Sequence, residues 1–397
     1  MIAVLLLLLG LSFVAFSTAP SVRSQERPTA KDLAAARDLI DQLKASQEAR
    51  SVAHLTLDAR QIRTLAVLGG EASGLRRIEA DVSDGVLSVR ASLRLVGGLW
   101  VNTAAAVAGA HDGFPSVHLQ VGRVTLPAIA SRWSADVVRW LLVQRGVQLP
   151  GLDEVVRHVR VAEDSVQAEL ALPQRTGLIE QLVGTAAAPV DVRLIAQIYC
   201  RLTLGQDQKL AGLVQQAFAD ASGPDLTEYN RAAFVALGFY VVGEQVRPLA
   251  PAAADRIRRC PSPAGGVLLR GRDDLAKHWA FSAALTAILG ERAAANLGEW
   301  KELHDSLPSG SGFSFVDLAA DRSGLHVARG ALSPQSAGRT VRALRTVSED
   351  GLLPDDLAQA PEGFSDAAFV ASFGGLEERR YRAAVSQIDQ HLAHWAY

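Results

Sequence analysis

Between residues 274 and 324 this chain gathers an unusual set of groups: Asp274, His278, Lys301, Glu302, Asp305, Asp317 and Asp321, set in an otherwise small and apolar background. One imidazole with several carboxylates is a sound ligand set for a divalent cation, with His278, Glu302, Asp305 and Asp321 as the candidate ligands. The same groups could serve as general acid and base. Charged groups held among apolar residues are expensive to desolvate, so a site stands beside a plainer reading, a paired ion network. In that reading Lys277, Lys301 and Arg322 neutralise the acids.

The spacings specify the elements that must carry these groups. Asp274 and His278 are four apart, Glu302 and Asp305 three apart, Asp317 and Asp321 four apart, so three successive helices would each present one pair on one face. In the first pair the carboxylate could hold the imidazole's tautomer or raise its pKa. Ser314 followed three residues later by Asp317 has the form of a capping box, with Phe313 and Leu318 as its staple, so Asp317 could instead be an N-terminal cap. Asp274 falls in the first turn of its helix, where an acid is favoured by the macrodipole whatever else it does. No GxSxG elbow, Walker loop or HExxH occurs, which removes the common hydrolase and nucleotide-binding readings.

The string D-x-x-x-H, G-x-x-x-E-x-x-D, S-G-S-G-F-S-F-x-D-L-A-x-D-x-x-G resembles the YfiM-like family of periplasmic proteins. The matching positions are Asp274, His278, Gly298, Lys301, Glu302, Asp305, Ser311, Gly312, Ser314, Asp317, Asp321 and Gly324. A weaker similarity joins the same skeleton to VanZ-like membrane proteins, which have Asn where Asp321 stands. The resemblance implies an address in the cell envelope and brings no reaction with it. Members of the YfiM-like family are described as lipoproteins, whereas this chain has no cysteine near residue 20 to accept a lipid.

The bulk properties agree with that address. The first residues run apolar from Ile2 to Phe16 and then turn small and polar before Arg23, the layout of an export segment. A run of about fifteen residues is short against the roughly twenty of a spanning helix, so residues 1–24 read as a cleaved signal or a retained membrane anchor. The expected location is periplasmic, anchored at the inner membrane or secreted. A net charge of −2 over 397 residues gives no electrostatic case for nucleic acid. The partners expected are the membrane, through the N-terminal helix, and an envelope lipid, glycan or protein. Cys200 and Cys260 could close one disulfide loop in an oxidising compartment or stay separate thiols, Cys200 being buried in the run LIAQIYCRL.

The expected fold class is α+β: the leader, an antiparallel-sheet domain with covering helices over 25–185, and an all-helical domain over 186–397 carrying the polar motif. An amphipathic helix is expected over 31–46, a short strand over 55–58, and a helix capped by Asp58 and stopped by Gly69 and Gly70. Alternation over 78–95 around Asp84-Gly85 predicts a hairpin that buries Leu87, Val89, Ala91 and Leu93 and exposes Ser88, Arg90, Ser92 and Arg94. A strand over 117–126 changes phase at Gly122, which predicts a bulge. A helix is expected over 134–146 and a second hairpin over 155–172. A one-sided sheet of this kind is also how lipid-binding envelope domains are built, beside the ordinary closed α+β core. From 188 onward helices are expected at 188–204, 208–220, 227–247, 273–290, 292–306, 315–329, 335–347 and 378–395, with the Pro-rich stretch 248–266 as a connector.

Overall fold

The computed structural model describes residues 16–22, 29–72, 77–94, 98–115, 117–127, 151–171, 190–205, 207–263, 265–306, 310–376 and 378–394. The chain is mixed α and β, dividing into two compact units, Met1–Thr185 and Ala186–Tyr397. The first holds antiparallel sheets and the second is built of helices.

In the first unit β1 (Phe16–Ser17), α1 (Ala30–Glu48), β2 (Ala53–Asp58) and α2 (Ala59–Ala72) precede the hairpin of β3 (Ile78–Ser83) and β4 (Val86–Arg94). Asp84 and Gly85 both have positive φ, the geometry a two-residue hairpin turn needs. Next come β5 (Trp100–Ala108), β6 (Ala110–Asp112), β7 (His118–Val121), β8 (Val124–Thr125), α3 (Leu152–Val155) and the hairpin of β9 (Val156–Val161) and β10 (Ser165–Leu170). One sheet runs β3-β4-β5-β7-β8 with β1 also on β5, and the other runs β2-β10-β9-β6. Ile62 of α2 joins Ala80, Val82, Val107, Val159, Val161 and Val166 in a core fed by both sheets. The chain crosses from one sheet to the other at Gly109, between β5 and β6, where φ is +80°.

Several expectations change here. Asp58 does cap α2, accepting from Gln61 N at 2.7 Å, but the helix runs through Gly69 and Gly70 to Ala72. Residues 1–15 of the leader and the helix expected over 134–146 lie outside the described residues. Phe16, the last residue of the apolar run, is not helical: β1 pairs with Val101 and Trp100. Among the described residues no helix is long and apolar enough to cross a membrane. Gly122 makes a tight turn between β7 and β8 instead of a bulge, which its φ of +60° permits.

The end of β4 is also inverted, with Ser92 buried and Leu93 44% exposed. The cause is the segment after β1. Ser92 Oγ accepts from Ser21 N at 3.0 Å and Val22 N at 3.1 Å and donates to Asn102 Oδ1 at 2.7 Å, so residues 19–22 cover the polar face of the strand.

The second unit contains α4 (Val192–Gly205), α5 (Leu210–Phe218), α6 (Leu226–Val242), α7 (Pro251–Ile257), α8 (Asp273–Leu289), α9 (Glu291–Asp305), α10 (Phe315–Leu332), α11 (Ala337–Leu344), α12 (Glu349–Leu352), α13 (Asp366–Phe373) and α14 (Arg379–His394). The helix expected over 227–247 stops at Val242, where Gly243 turns to φ +58°. The Pro-rich connector contains α7, with Pro251 in its first turn where a missing N–H costs nothing. Helix α13 was not expected; it contributes Phe369 and Phe373 to an aromatic cluster with Phe313, Phe315, Phe364 and Tyr381. Phe313 stacks on Phe369 with centroids 4.2 Å apart and bridges Phe364 through its backbone, which anchors the entry to α10.

Cys200 within α4 and Cys260 after α7 form a disulfide with Cα atoms 5.0 Å apart. Helix α8 is buried on nearly every face and packs against α6, α9 and α10. Alanines at 280, 283, 284 and 287 make that possible by keeping side-chain volume low. Gly324 sets the approach of α10: a Cβ there would lie 2.2 Å from the carbonyl oxygen of Trp279. Trp279 itself is fully buried and donates Nε1–H to Ser323 Oγ at 3.2 Å.

Candidate functional site

Helices α8, α9 and α10 bring His278, Glu302, Asp317 and Asp321 together in the buried interior of the second unit. Asp321 lies at the centre. Its Oδ2 is 3.1 Å from His278 Nδ1, and its Oδ1 accepts from Ser282 Oγ at 2.7 Å. Gly298 on α9 makes room for it, since a Cβ at 298 would sit 3.0 Å from Asp321 Oδ2. Glu302 Oε1 is 3.9 Å from His278 Nδ1, while its Oε2 accepts the backbone N–H of Ser314 at 3.2 Å.

That last contact revises the capping box. Ser314 Oγ accepts from Asp317 N at 3.1 Å as expected, but the reciprocal acceptor for Ser314 N is Glu302 of a different helix. Asp317 is therefore released from cap duty, and its Oδ2 lies 3.5 Å from His278 Nε2. Its Oδ1 is buried and accepts no hydrogen bond among the described residues; the nearest cation is Arg272 Nη2 at 3.8 Å.

Two partners face His278 Nε2. Lys301 Nζ is 3.2 Å away and also reaches Glu302 Oε1 at 3.3 Å and Asp305 Oδ2 at 2.7 Å. A neutral imidazole accepts from this ammonium, whereas an imidazolium turns to Asp317. Burial works against the imidazolium, but the Asp321 carboxylate more than offsets it and lifts the pKa to about 9. Burial pushes Glu302 up to about 8 despite the pull of Lys301 and His278, and burial also raises Asp317. For Lys301 burial opposes the charge, and Glu302 and Asp305 outweigh it, raising the pKa.

The two numerical shifts have one sign for stability. The folded-state stabilisation by protonated His278 is fully present below its ordinary 6.5 and is lost as pH rises through about 9. Glu302 is favoured neutral, so its ionisation costs stability as pH rises from 4.5 to about 8. Metal-free protein is thus expected to lose stability, on the order of a few kcal/mol, between about pH 6 and 9. Urea-denaturation midpoints across that range measure it, and a flat or rising profile contradicts the assignment.

The remaining sequence candidates lie at the margin or outside. Asp274 does not hold the imidazole, because Arg272 takes its carboxylate at 3.1 and 2.6 Å. Arg272 shares that grip with Glu362 at 2.9 Å, and the acids raise its pKa further. Asp305 is bound to Lys301 and stands apart from the buried group. Ser311 is exposed, and Gly312, at φ +93°, passes Gly363 so closely that a Cβ would lie 2.6 Å from its carbonyl carbon. Lys277 pairs with Asp273, and Arg322 with Asp389 and Glu299, so of the three proposed neutralising cations only Lys301 reaches the cluster.

Sequence reasoning passed over Arg272 and Ser282. Ser282 had a signal, standing four residues after His278 on the same helical face. Arg272 precedes the helix, where no periodicity applies.

His278, Glu302 and Asp321 each offer a ligand atom, all within 4.8 Å of one another, so this buried group could hold a metal ion. The five carboxyl groups Asp274, Glu302, Asp305, Asp317 and Asp321 outnumber the cationic partners Arg272, Lys301 and His278 by two, a surplus of negative charge that falls to one while Glu302 keeps its proton. Beside the group lies a cleft of about 170 Å³, lined by the polar His278, Ser282, Lys301 and Asp321 and by the apolar Phe281, Leu285 and Leu297. Comparison with family models, with curated proteins and with solved structures gives no match to this chain.

Proposed function

We propose that this chain is a cell-envelope protein whose helical unit carries a divalent-cation site made by His278, Glu302 and Asp321. The leader at 1–24 would export the chain and, if retained as a helix, tether it to the inner membrane. Kinship with the YfiM-like family belongs to the same proposal and rests on the residues of α8, α9 and α10.

One observation carries the reading: an imidazole and two carboxylates with ligand atoms within 4.8 Å, buried, in a cluster with an acid surplus. A divalent cation balances that surplus, and it adds to the counter-charge that Asp317, whose buried Oδ1 accepts no hydrogen bond among the described residues, has from Arg272 at 3.8 Å. Asp305 reaches the site through Lys301, whose ammonium the cation would displace from Glu302. The apolar faces of β3, β9 and β10 are used in a common core with α2, so support for a ligand comes from the cleft in the helical unit.

Titration calorimetry with Mn(II), paired with elemental analysis, tests the cation. One site per chain is expected, weakened in Glu302→Gln and Asp321→Asn by at least the roughly 10–100-fold that follows loss of an outer-shell partner. No heat above that of the buffer, or equal affinity in both variants, would remove the proposal.

A second reading, metal-assisted hydrolysis in which the carboxylates hold the cation and His278 stays off it, is favoured by the orientation of His278. Asp321 fixes Nδ1 while the ring lines the cleft, the arrangement of a positioned acid or base. In the alternative accessory role, the cleft binds an envelope lipid or glycan without turnover.

A further inference from the structure

The cleft beside the cation site has a direction. Along α8, Lys277 and His278 are followed one turn later by Phe281 and Ser282 and then by Leu285, all of them lining it. Along α9, Leu297 and then Gly298 and Lys301 line it. Each wall therefore contributes an ammonium group and a leucine, and His278 and Asp321 lie with the ammonium groups. Leu297 is 39% exposed, so the cleft meets solvent beside it, while Leu285 is buried.

We infer that this cleft takes a phosphoryl group carrying a short hydrocarbon, the oxyanion on the cation and the two lysines and the chain along Phe281, Leu285 and Leu297. The inference rests on the cation reading above. A tetrahedral dianion offers three free oxygens to three positive partners, whereas a carboxylate offers two. Lys277 can be recruited cheaply, because its ion pair with Asp273 is open to water, and Lys301, already 3.2 Å from His278 Nε2, would be released from Glu302 by the cation. Without the cation, Asp274 and Asp321 in the lining repel any anion. Cation and phosphoryl group should therefore bind in order. At about 170 Å³ the cleft suits a phosphate and a few methylenes, with any longer chain leaving past the exposed Leu297.

Calorimetry on the full chain separates the possibilities, using Mn(II) alone, then inorganic phosphate, hexyl phosphate and hexanoate on the Mn(II)-loaded protein, and hexyl phosphate on protein stripped with chelator. The expected result is binding of hexyl phosphate to loaded protein only, at least about tenfold tighter than inorganic phosphate, since each buried methylene contributes about 0.8 kcal/mol. Leu297→Ser is expected to erase that advantage and leave phosphate itself unchanged. Lys277→Gln should weaken both phosphates several-fold and leave Mn(II) affinity unchanged. Equal affinity for phosphate and hexyl phosphate overturns the inference, as does hexanoate binding as tightly as hexyl phosphate, or binding to stripped protein. Mn(II) binding with no phosphate binding overturns this inference and spares the cation site; absence of Mn(II) binding overturns the cation site, and this inference with it.

Discussion

Replacing His278 by alanine is expected to destabilise the helical unit by about 3–5 kcal/mol at neutral pH, the range seen when one partner of a buried ion pair is removed. His278 is 8% exposed and is approached by Asp321, Asp317 and Glu302 at 3.1, 3.5 and 3.9 Å. Without the imidazole the cations left to those acids among the described residues are Lys301 and, for Asp317, the distant guanidinium of Arg272. The remedy available to the variant is protonation of the acids, so its deficit should shrink as pH falls toward 4. Urea denaturation of chelator-treated protein at pH 7 and pH 4.5 reads both effects. Asp321→Ala added to His278→Ala should cost less than the sum of the two single changes, because the pair is lost together. A strictly additive cycle would mean that the 3.1 Å contact carries no coupling.

Exchanging both Cys200 and Cys260 for serine should cost about 4 kcal/mol, with the wild type in reductant behaving the same way. The bond spans 60 residues and restrains α5, α6 and α7 in the unfolded chain. The loop-closure relation gives about 4 kcal/mol for a ring of that size. Its action is on the unfolded ensemble, so the buried neighbours Ile195, Ile198 and Leu202 should keep their packing in the variant. Comparing urea midpoints with and without reductant measures the difference. Values within about 1 kcal/mol of each other would contradict the loop-closure account.

Much of the scaffold around the site was legible because it follows local rules. The three helices around 273–290, 292–306 and 315–329 appear close to where the spacing of their acids and apolar residues placed them, and Ser314 Oγ makes the local half of its expected capping box. The Asp84-Gly85 hairpin and the pairing of β9 with β10 follow from alternation and turn chemistry. Strand β5 is different: Ala104, Ala105 and Ala106 carry no alternation, so the strand at the centre of the larger sheet has no signature.

Partner choice was the least legible property. Spacing of four residues fixes that Asp274 and His278 share a face, but it says nothing of an arginine just before the helix that claims the acid. Whether Asp321 or Asp305 meets the imidazole depends on how closely two helices approach, and Gly324 and Gly298 set that distance. Ser92 shows the same limit in the sheet unit. Its burial comes from a segment seventy residues earlier in the chain.

The passage of one chain through Gly109 has a mechanical corollary. β5 and β6 belong to different sheets yet are joined by a single residue, so neither sheet can peel away without dragging on the other. Amide protons on β4 and β9 would then exchange through one shared opening event, with nearly equal protection, and would not report two separately melting layers.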